Sequence, residues 1–120
     1  IQNIDYAPTF LAAAGLPVPE DIQGESLLPL MEGDTPGEWR DSIYYHYYEF
    51  PAVHMVAKHY GVRTERYKLI HYYETDEWEC FDLDADPREL TSVYDAREYA
   101  SVVAELKEEL AALRQMYGDT

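Results

Sequence analysis

Basic residues are scarce in this sequence. Nine Lys and Arg stand against 24 Asp and Glu in 120 residues, which gives a formal net charge of −15. Binding to a nucleic acid backbone requires basic groups that displace counterions from the phosphates, and this chain would repel such a backbone over most of its surface. An anionic membrane surface is a poor partner for the same reason. We therefore expect neither nucleic acid nor a membrane among its partners.

Long apolar runs are also absent. No stretch approaches the ~18 apolar residues that mark a membrane-spanning helix, and the N-terminus lacks the charged-then-apolar pattern of a signal peptide. The chain opens on Ile1 rather than Met, so we expect a fragment or a processed product. With 47% hydrophobic residues it is not a disordered acidic tail. Its length fits one domain with one core and is short for a complete enzyme.

Motifs for nucleophilic or metal chemistry are missing as well. Cys80 is the only cysteine, so no internal disulfide can form, and we expect it in the core of a strand. The six glycines are scattered singly and form no phosphate-binding loop. The four histidines show no zinc-type spacing, and Asp82, Asp84 and Asp86 lack the glycine and distal glutamate of a calcium loop. The residues themselves indicate no catalytic residue and no metal site.

Tyrosine, by contrast, is abundant. Eight of the 12 tyrosines lie between Tyr44 and Tyr73, a density that favours a sheet with a polar aromatic face. Runs of β-branched and aromatic residues, separated by turn-like residues, predict four strands: Ser42–Tyr48, Val53–Thr64, Tyr67–Tyr73 and Trp78–Leu83. The break at Glu65 and Arg66 suits a tight hairpin. We therefore predict an antiparallel meander.

A helix is predicted near the N-terminus. Asp5 can cap it, and its apolar residues, among them Phe10, fall on one side. Gly15 followed by Pro17 is a stop signal. Residues 16–26 then predict an irregular crossing segment, because proline and glycine interrupt regular structure there.

The clearest helix signal spans residues 95–117. Apolar residues recur there at three- and four-residue spacing, which is typical of a core-facing helix. Asp95 and Glu98 can form a capping box at its start, and Gly118 ends it. The predicted fold class is α+β: a four-stranded antiparallel sheet with a packed C-terminal helix, preceded by the N-terminal helix and the irregular crossing segment.

Two basic side chains on the second predicted strand are candidates for binding an anion or a sugar. His59 and Arg63 are an even number of residues apart, so an unbroken strand points them to one face, with Gly61 between them offering no side chain. Such a patch suits a sulfate, a carboxylate or a sugar hydroxyl. The alternative is that Arg63 pairs with one of the many carboxylates. His54, five residues before His59, would fall on the opposite face.

Two segments of the chain match a known sequence pattern. The first contains Asn3-Ile-Asp-Tyr-Ala-Pro-Thr-Phe-Leu, Ala13-Ala-Gly-Leu-Pro and Gln23-Gly-Glu-Ser-Leu-Leu-Pro-Leu. The second contains Tyr60-Gly-Val-Arg-Thr-Glu-Arg-Tyr-Lys-Leu-Ile and Glu79-Cys-Phe-Asp-Leu-Asp-Ala-Asp-Pro-Arg-Glu-Leu. In this order they resemble the end of the catalytic domain and the C-terminal subdomain of formylglycine-dependent sulfatases, particularly the bacterial glycan and heparan-type branch with its N-sulfoglucosamine sulfohydrolase-like C-terminal domain. The resemblance covers most of residues 2–92.

The resemblance implies a division of the chain and a function. Residues 1–40 would be the tail end of the catalytic domain with its connecting segment, and residues 41–120 the C-terminal subdomain, which docks against the upstream catalytic domain. The parent would be a sulfuric ester hydrolase acting on sulfated glycans and exported to the periplasm or the extracellular space. This chain would give structural support and one wall of the substrate pocket.

The resemblance also implies what this chain does not supply. The family makes its formylglycine nucleophile from the Cys or Ser of a C-x-P-S-R type motif, and that motif and the calcium ligands belong to the region upstream. We therefore expect no catalytic residue, no metal ligand and no cofactor here, whereas the parent would use a calcium ion and a formylglycine. The fragment alone should be inactive.

The C-terminal subdomain of this family often forms part of the substrate pocket. That property selects five candidate substrate-binding residues: His59, Arg63, His54, Tyr48 and Glu49. Aromatic rings stack on sugar faces, and an imidazole or a guanidinium binds hydroxyls or sulfates. The alternative function is a stand-alone acidic, tyrosine-rich module that binds a carbohydrate or a basic protein. A third hypothesis is that residues 1–40 expose an apolar strip that drives self-association.

Overall fold

The computed structural model describes residues 1–34, 36–37, 39–51 and 53–119. The chain divides into two units, Ile1–Arg40 and Asp41–Thr120. The assignment of the first unit to a catalytic domain and of the second to a C-terminal subdomain stays a prediction. Within the described ranges, no helix has the length and apolar character needed to cross a membrane.

The first unit contains two short helices joined by an irregular segment. A 3₁₀ turn at Asn3–Asp5 leads into α1 (Tyr6–Ala13), and α2 spans Leu28–Met31. Residues 14–27 between them form neither helix nor strand. Gly15 begins this segment with a φ of 68°, a left-handed conformation that glycine adopts without strain. The predicted N-terminal helix and irregular crossing segment are confirmed.

The side chain of Asp5 does not cap α1, contrary to the prediction. Its fully buried carboxylate accepts hydrogen bonds from two guanidinium nitrogens of Arg40, at 3.0 and 2.7 Å. The backbone N–H groups of Gln2 and Glu25 donate two more, at 2.7 and 3.1 Å. Burial raises the pKa of Asp5, but these hydrogen bonds outweigh it and hold the pKa below its usual value. Asp5 therefore joins three segments of this unit.

The buried residues of α1 are Pro8 and Thr9 rather than residues of the predicted apolar side. Phe10 is 72% exposed, whereas Thr9 is buried and its hydroxyl accepts a hydrogen bond from the Leu27 N–H at 2.9 Å. A Cβ on Gly24 would lie 2.0 Å from the Ile4 carbonyl oxygen. Only glycine permits that close approach of two backbones, so Gly24 fixes the path of the crossing segment.

The second unit is a four-stranded antiparallel sheet in the order β1-β2-β3-β4, followed by a helix. A 3₁₀ turn at Arg97–Tyr99 precedes that helix. The Thr64 N–H donates to the Tyr67 carbonyl at 2.9 Å and closes the predicted hairpin. The α+β class and the meander are confirmed, with these elements: β1 (Ile43–Tyr47), β2 (His59–Arg63), β3 (Tyr67–Tyr72), β4 (Glu77–Asp82) and α3 (Ala100–Met116).

The second strand is shorter than the predicted Val53–Thr64. Strand β2 begins only at His59, which pairs with Tyr47 at the end of β1. Residues 53–58 therefore have no partner strand in β1. Within these residues Met55 has a left-handed φ of 49°, which interrupts an extended chain.

The predicted capping box at the start of the last helix is wrong. The chain enters the 3₁₀ turn at Ala96, whose side chain carries no hydrogen-bond acceptor, and neither the 3₁₀ turn nor α3 has a side-chain cap. The backbone at Ala96 is extended (φ −77°, ψ 122°), so Asp95 lies outside the helix. Gly118 has a φ of 68° just beyond the end of α3, as expected of a helix stop.

The core of the second unit lies between one face of the sheet and α3. Strand alternation places Tyr60, Val62, Leu69 and Cys80 on this face, which we call the helix face. Its core residues pack with three residues of α3: Val103, Leu106 and Leu110. Cys80 is completely buried, as predicted for a core residue. The opposite surface of the sheet, the second face, carries His59, Gly61 and Arg63.

Candidate functional site

His59 lies on the second face among three tyrosine rings. Its ring centroid is 5.9 Å from Tyr45, 5.5 Å from Tyr47 and 5.3 Å from Tyr72. Its Nδ1 lies 2.8 Å from the Ala57 carbonyl oxygen. Because a carbonyl can only accept, Nδ1 carries the proton. Nε2 makes no hydrogen bond within the described part of the chain, so it is the atom of this imidazole that can bind a ligand.

The surface beside Gly61 is covered rather than open. A Cβ on Gly61 would lie 2.5 Å from the hydroxyl oxygen of Tyr45 and 2.5 Å from the Leu69 carbonyl oxygen. The Tyr45 ring therefore occupies the space that the absent side chain leaves. Burial raises the pKa of Tyr45 above its usual value, so the phenol stays neutral. Strand parity puts His59 and Arg63 on one face as predicted, but a phenol ring lies between them instead of bare backbone.

Arg63 is exposed at the far end of β2. It lies four residue steps from His59 along the strand, about 13 Å at ~3.3 Å per residue. No hydrogen bond or ion pair to Arg63 occurs among the described residues, so the carboxylate pairing considered from the sequence is not found there. Although the chain has a net charge of −15, this exposed guanidinium can attract an anion locally.

The other three candidates lie outside the strands. Tyr48 and Glu49 follow β1 directly, and both are exposed. His54 is also exposed and belongs to the connection between β1 and β2, so the expectation that it lies on the opposite strand face from His59 is wrong. The connection brings these three to the end of the sheet where His59 begins β2. Four candidates therefore belong to one end of the sheet, with Tyr48 against His46 of the helix face and His59 on the second face. Arg63 lies at the other end.

A cluster that the sequence did not single out lies on the helix face at the same end. Tyr44 and His46 alternate along β1, and both contact the carboxylate of Asp119. The His46 ring stacks on Tyr48 with a centroid distance of 3.6 Å and an interplanar angle of 21°. The even spacing of 44, 46 and 48 is a sequence signal for a shared face. No comparable signal predicts Asp119, which is 73 residues from His46.

The ionisation of this cluster follows from its contacts. Burial raises the pKa of Tyr44 and the hydrogen bond to Asp119 raises it further. Burial also raises the pKa of Asp119, but the hydrogen bonds from Tyr44 and His46 outweigh it and hold the pKa below its usual value. Asp119 is therefore a carboxylate at neutral pH, which accepts one hydrogen bond from the Tyr44 hydroxyl and one from His46 Nδ1.

A similar arrangement is found elsewhere on the helix face. The carboxylate of Asp76 lies 2.9 Å from Nε2 of His71, and the His71 ring stacks on Trp78 at 3.9 Å and 11°. The Lys107 ammonium covers the Trp78 ring at 4.2 Å and donates a 2.7 Å hydrogen bond to the Tyr94 hydroxyl. Trp78 is therefore covered by its own chain, whereas Tyr48 is 61% exposed.

The side chains that the structure describes do not fit a resident metal ion or a formylglycine. Among the described residues, no group of three or more His, Cys, Asp or Glu side chains is placed to hold a metal. Cys80 is completely buried in the core, and burial raises the pKa of its thiol, which is unfavourable for a nucleophile. Neither calcium ligation nor the covalent step of the sulfatases can be assigned to these residues.

Known proteins resemble the chain over nearly its whole length. The family described as N-sulphoglucosamine sulphohydrolase, C-terminal, matches residues 1–116. An N-acetylglucosamine-6-O-sulfatase of Bacteroides thetaiotaomicron is 52% identical over 98% of this chain, and human arylsulfatase K is 34% identical over 78% of it. The structure of BT4656 in complex with its substrate D-glucosamine-2-N,6-O-disulfate superimposes with a TM-score of 0.92 at 50% identity, over 97% of this chain.

The matched regions are small parts of those proteins. The chain spans 22% of the Bacteroides sulfatase, 18% of human arylsulfatase K and 24% of the BT4656 chain. The predicted resemblance to the C-terminal portion of glycan sulfatases is confirmed by the matched family, by the sequence relatives and by the superimposed structure. The chain belongs to the N-sulphoglucosamine sulphohydrolase C-terminal family.

Proposed function

We propose that this chain is the C-terminal part of a sulfatase that hydrolyses sulfate esters on glycans, and that it forms one wall of the substrate pocket. The observation that carries the proposal is 52% identity over 98% of the chain with an N-acetylglucosamine-6-O-sulfatase. The likeness to BT4656, whose structure contains D-glucosamine-2-N,6-O-disulfate, supports a sulfated glucosamine as the substrate class. The partner of this chain is then the upstream catalytic domain, which supplies the formylglycine and the calcium ion.

The contribution of this chain is binding rather than chemistry. His59 offers Nε2 to a sugar hydroxyl or a sulfate oxygen, since its Nδ1 is held by the Ala57 carbonyl. Arg63 offers a guanidinium that no described carboxylate neutralises, and Tyr48 offers a ring that is 61% exposed for stacking on a sugar face. His54 and Glu49 are exposed in the connection between β1 and β2 and complete the proposed substrate-binding set.

The test is sulfate release from D-glucosamine-2-N,6-O-disulfate by the complete sulfatase that carries this chain. His59→Ala and Arg63→Ala should each raise KM, by about 10-fold for loss of a charge-assisted hydrogen bond, with kcat changed much less. Arg88→Ala is the matched control, because Arg88 is an exposed arginine in the loop after β4, and it should leave KM unchanged.

Three outcomes would contradict the proposal. Absence of sulfate release by the wild-type enzyme would remove the proposed reaction. Unchanged kinetics in both His59→Ala and Arg63→Ala would remove these residues from the substrate pocket. Turnover by the isolated 120-residue chain, after purification excludes a contaminating sulfatase, would show that the chain has a catalytic centre of its own.

A further inference from the structure

The exposed ring of Tyr48 packs against a buried histidine that other residues hold in place. One side of the ring stacks on His46 at a centroid distance of 3.6 Å, and 61% of the residue remains exposed. The His46 side chain is only 11% exposed. It is enclosed by edge-on contacts to Tyr60 and Tyr73, at 5.5 and 5.4 Å. One face of Tyr48 is thus covered by a fixed imidazole, while the residue stays accessible to a ligand.

The imidazole is held in turn by Asp119. His46 Nδ1 donates to the Asp119 carboxylate, and the Tyr44 hydroxyl donates to the same oxygen. His46 Nε2 is buried and has no hydrogen-bond partner among the described residues. Nδ1 also lies 3.4 Å from the Tyr44 hydroxyl oxygen, but its contact with Asp119 is much shorter. The Asp119 contact is therefore the main polar interaction that sets the orientation of this ring.

The turn after α3 places Asp119 beside β1. Gly118 adopts a left-handed φ of 68°, which reverses the chain at the helix end. The Asp119 N–H then donates to the Arg114 carbonyl at 2.9 Å. Arg114 also lies over the Tyr60 ring at 4.2 Å, so the last turn of α3 is anchored on the same aromatic cluster. The position of the carboxylate is consequently fixed by helix packing.

We propose that Asp119 and His46 are positioning residues that hold Tyr48 as a preformed stacking surface for a sugar ring of the substrate. The inference rests on the proposed function and adds two residues that touch no substrate themselves. A ring that is already oriented loses less conformational entropy when the sugar binds. Loss of the support should therefore weaken binding of the ground state and leave the chemical step unchanged.

The kinetic test uses the complete sulfatase and D-glucosamine-2-N,6-O-disulfate. Tyr48→Ala should raise KM about 3- to 10-fold, the range expected for one aromatic stacking contact. Asp119→Ala and His46→Ala should raise KM to a similar extent with kcat within about 2-fold. Asp119→Asn, which keeps an acceptor oxygen, should restore part of the loss. Combining Asp119→Ala with Tyr48→Ala should add nothing to Tyr48→Ala, because both act through one ring.

A structural readout separates positioning from general destabilisation. In the 120-residue chain with ¹³C-labelled tyrosine, the ring signals of Tyr48, assigned through Tyr48→Phe, should be displaced by the stacked imidazole. They should move toward the values of an unstacked tyrosine in Asp119→Ala. Asp76→Ala is the matched control, since Asp76 contacts His71 beneath Trp78. It should leave both the Tyr48 signals and KM unchanged.

The outcomes distinguish this inference from the function on which it rests. Raised KM in Tyr48→Ala with wild-type KM in Asp119→Ala and His46→Ala would overturn the positioning role and leave the proposed function intact. Unchanged KM in Tyr48→Ala would overturn the inference while His59→Ala and Arg63→Ala still report on the pocket. Absence of sulfate release by the wild-type enzyme would overturn both.

Discussion

Arg66 donates two hydrogen bonds to the carboxylate of Asp82, at 3.0 Å from Nε and 2.8 Å from a terminal nitrogen. The Asp82 side chain is 1% exposed and accepts a third side-chain hydrogen bond, at 3.2 Å, from the Tyr99 hydroxyl. The pair joins the β2–β3 hairpin to the end of β4. Both residues belong to the sulfatase-like segments of the sequence, so this part of the resemblance has a structural rather than a catalytic basis.

The Arg66–Asp82 pair predicts a loss of stability in acid. The Arg66 hydrogen bonds lower the pKa of Asp82 from 3.8 to about 2 in the folded state. A carboxyl with a lowered folded-state pKa stabilises the fold above its unfolded pKa, and this contribution is lost as the pH falls toward the folded value. The urea midpoint of the wild type should therefore fall between about pH 4 and pH 2. Asp82→Asn should lower the midpoint at neutral pH and flatten this dependence.

Asp84→Asn is the control for that measurement. The Asp84 side chain is 74% exposed and lies 3.6 Å from Arg66 Nε, a distance at which solvent screens most of the attraction. Its pH dependence should follow the wild type. If Asp82→Asn also followed the wild type through the acid range, the Arg66 pair would not be the source of the acid sensitivity.

The core between the helix face and α3 predicts a large cost for truncating Leu69. Leu69 has no exposed surface and lies in the cluster that joins β2, β3 and β4 to α3. Leu69→Ala should lower the free energy of unfolding by about 2–5 kcal/mol, because it removes buried methyl groups and leaves a cavity. Leu90→Ala, at a residue that is 76% exposed, should change it by less than ~0.5 kcal/mol. Urea unfolding of the 120-residue chain measures both, and equal losses would contradict the assigned core.

Strand alternation and helix periodicity predicted the parts of the fold that depend on burial. Cys80 was predicted in the core of a strand, and the alternation of β4 points it toward α3. The length of β2 was mispredicted because it depends on its partner. Residues 53–58 continue the apolar pattern that predicted the strand. They have no partner in β1, because β1 ends at Tyr47. The side-chain cap at Asp5 was mispredicted because Arg40, 35 residues away, binds its carboxylate instead.

The candidate site was likewise predicted from the sequence only in part. The sequence placed His59 and Arg63 on one face, since that follows from parity alone. It did not predict that Tyr45 covers Gly61, because the pairing of Tyr45 with Gly61 depends on the β1–β2 register. Nor did it predict the Asp119 contact with His46, which requires the end of α3 to reach β1. Contacts between distant segments are set by packing, and a single sequence contains no periodic signal for them.

Gly61 predicts a cost for adding a single methyl group. A Cβ at this position would lie 2.5 Å from the Leu69 carbonyl oxygen and 2.5 Å from the Tyr45 hydroxyl. Because the carbonyl belongs to the neighbouring strand, it cannot move without disturbing the sheet. Gly61→Ala should therefore lower the free energy of unfolding by about 1–3 kcal/mol or more. Gly37→Ala, with no heavy atom within 4 Å of the added Cβ, is the control. A neutral Gly61→Ala would contradict both of these close contacts.

The hydroxyl of Tyr45 predicts a stabilising substitution. It is buried and has no hydrogen-bond partner within the described part of the chain, so folding removes its water without replacing it. Tyr45→Phe deletes the unsatisfied group and should raise the free energy of unfolding by about 1 kcal/mol. Tyr72→Phe is the matched control on the same face, because the Tyr72 hydroxyl donates to Glu79 at 3.1 Å and its removal should cost about 0.5–1.5 kcal/mol. Urea unfolding of both variants tests whether their changes in stability have opposite signs. A loss of stability in Tyr45→Phe as large as that in Tyr72→Phe would mean that the Tyr45 hydroxyl is hydrogen-bonded in solution.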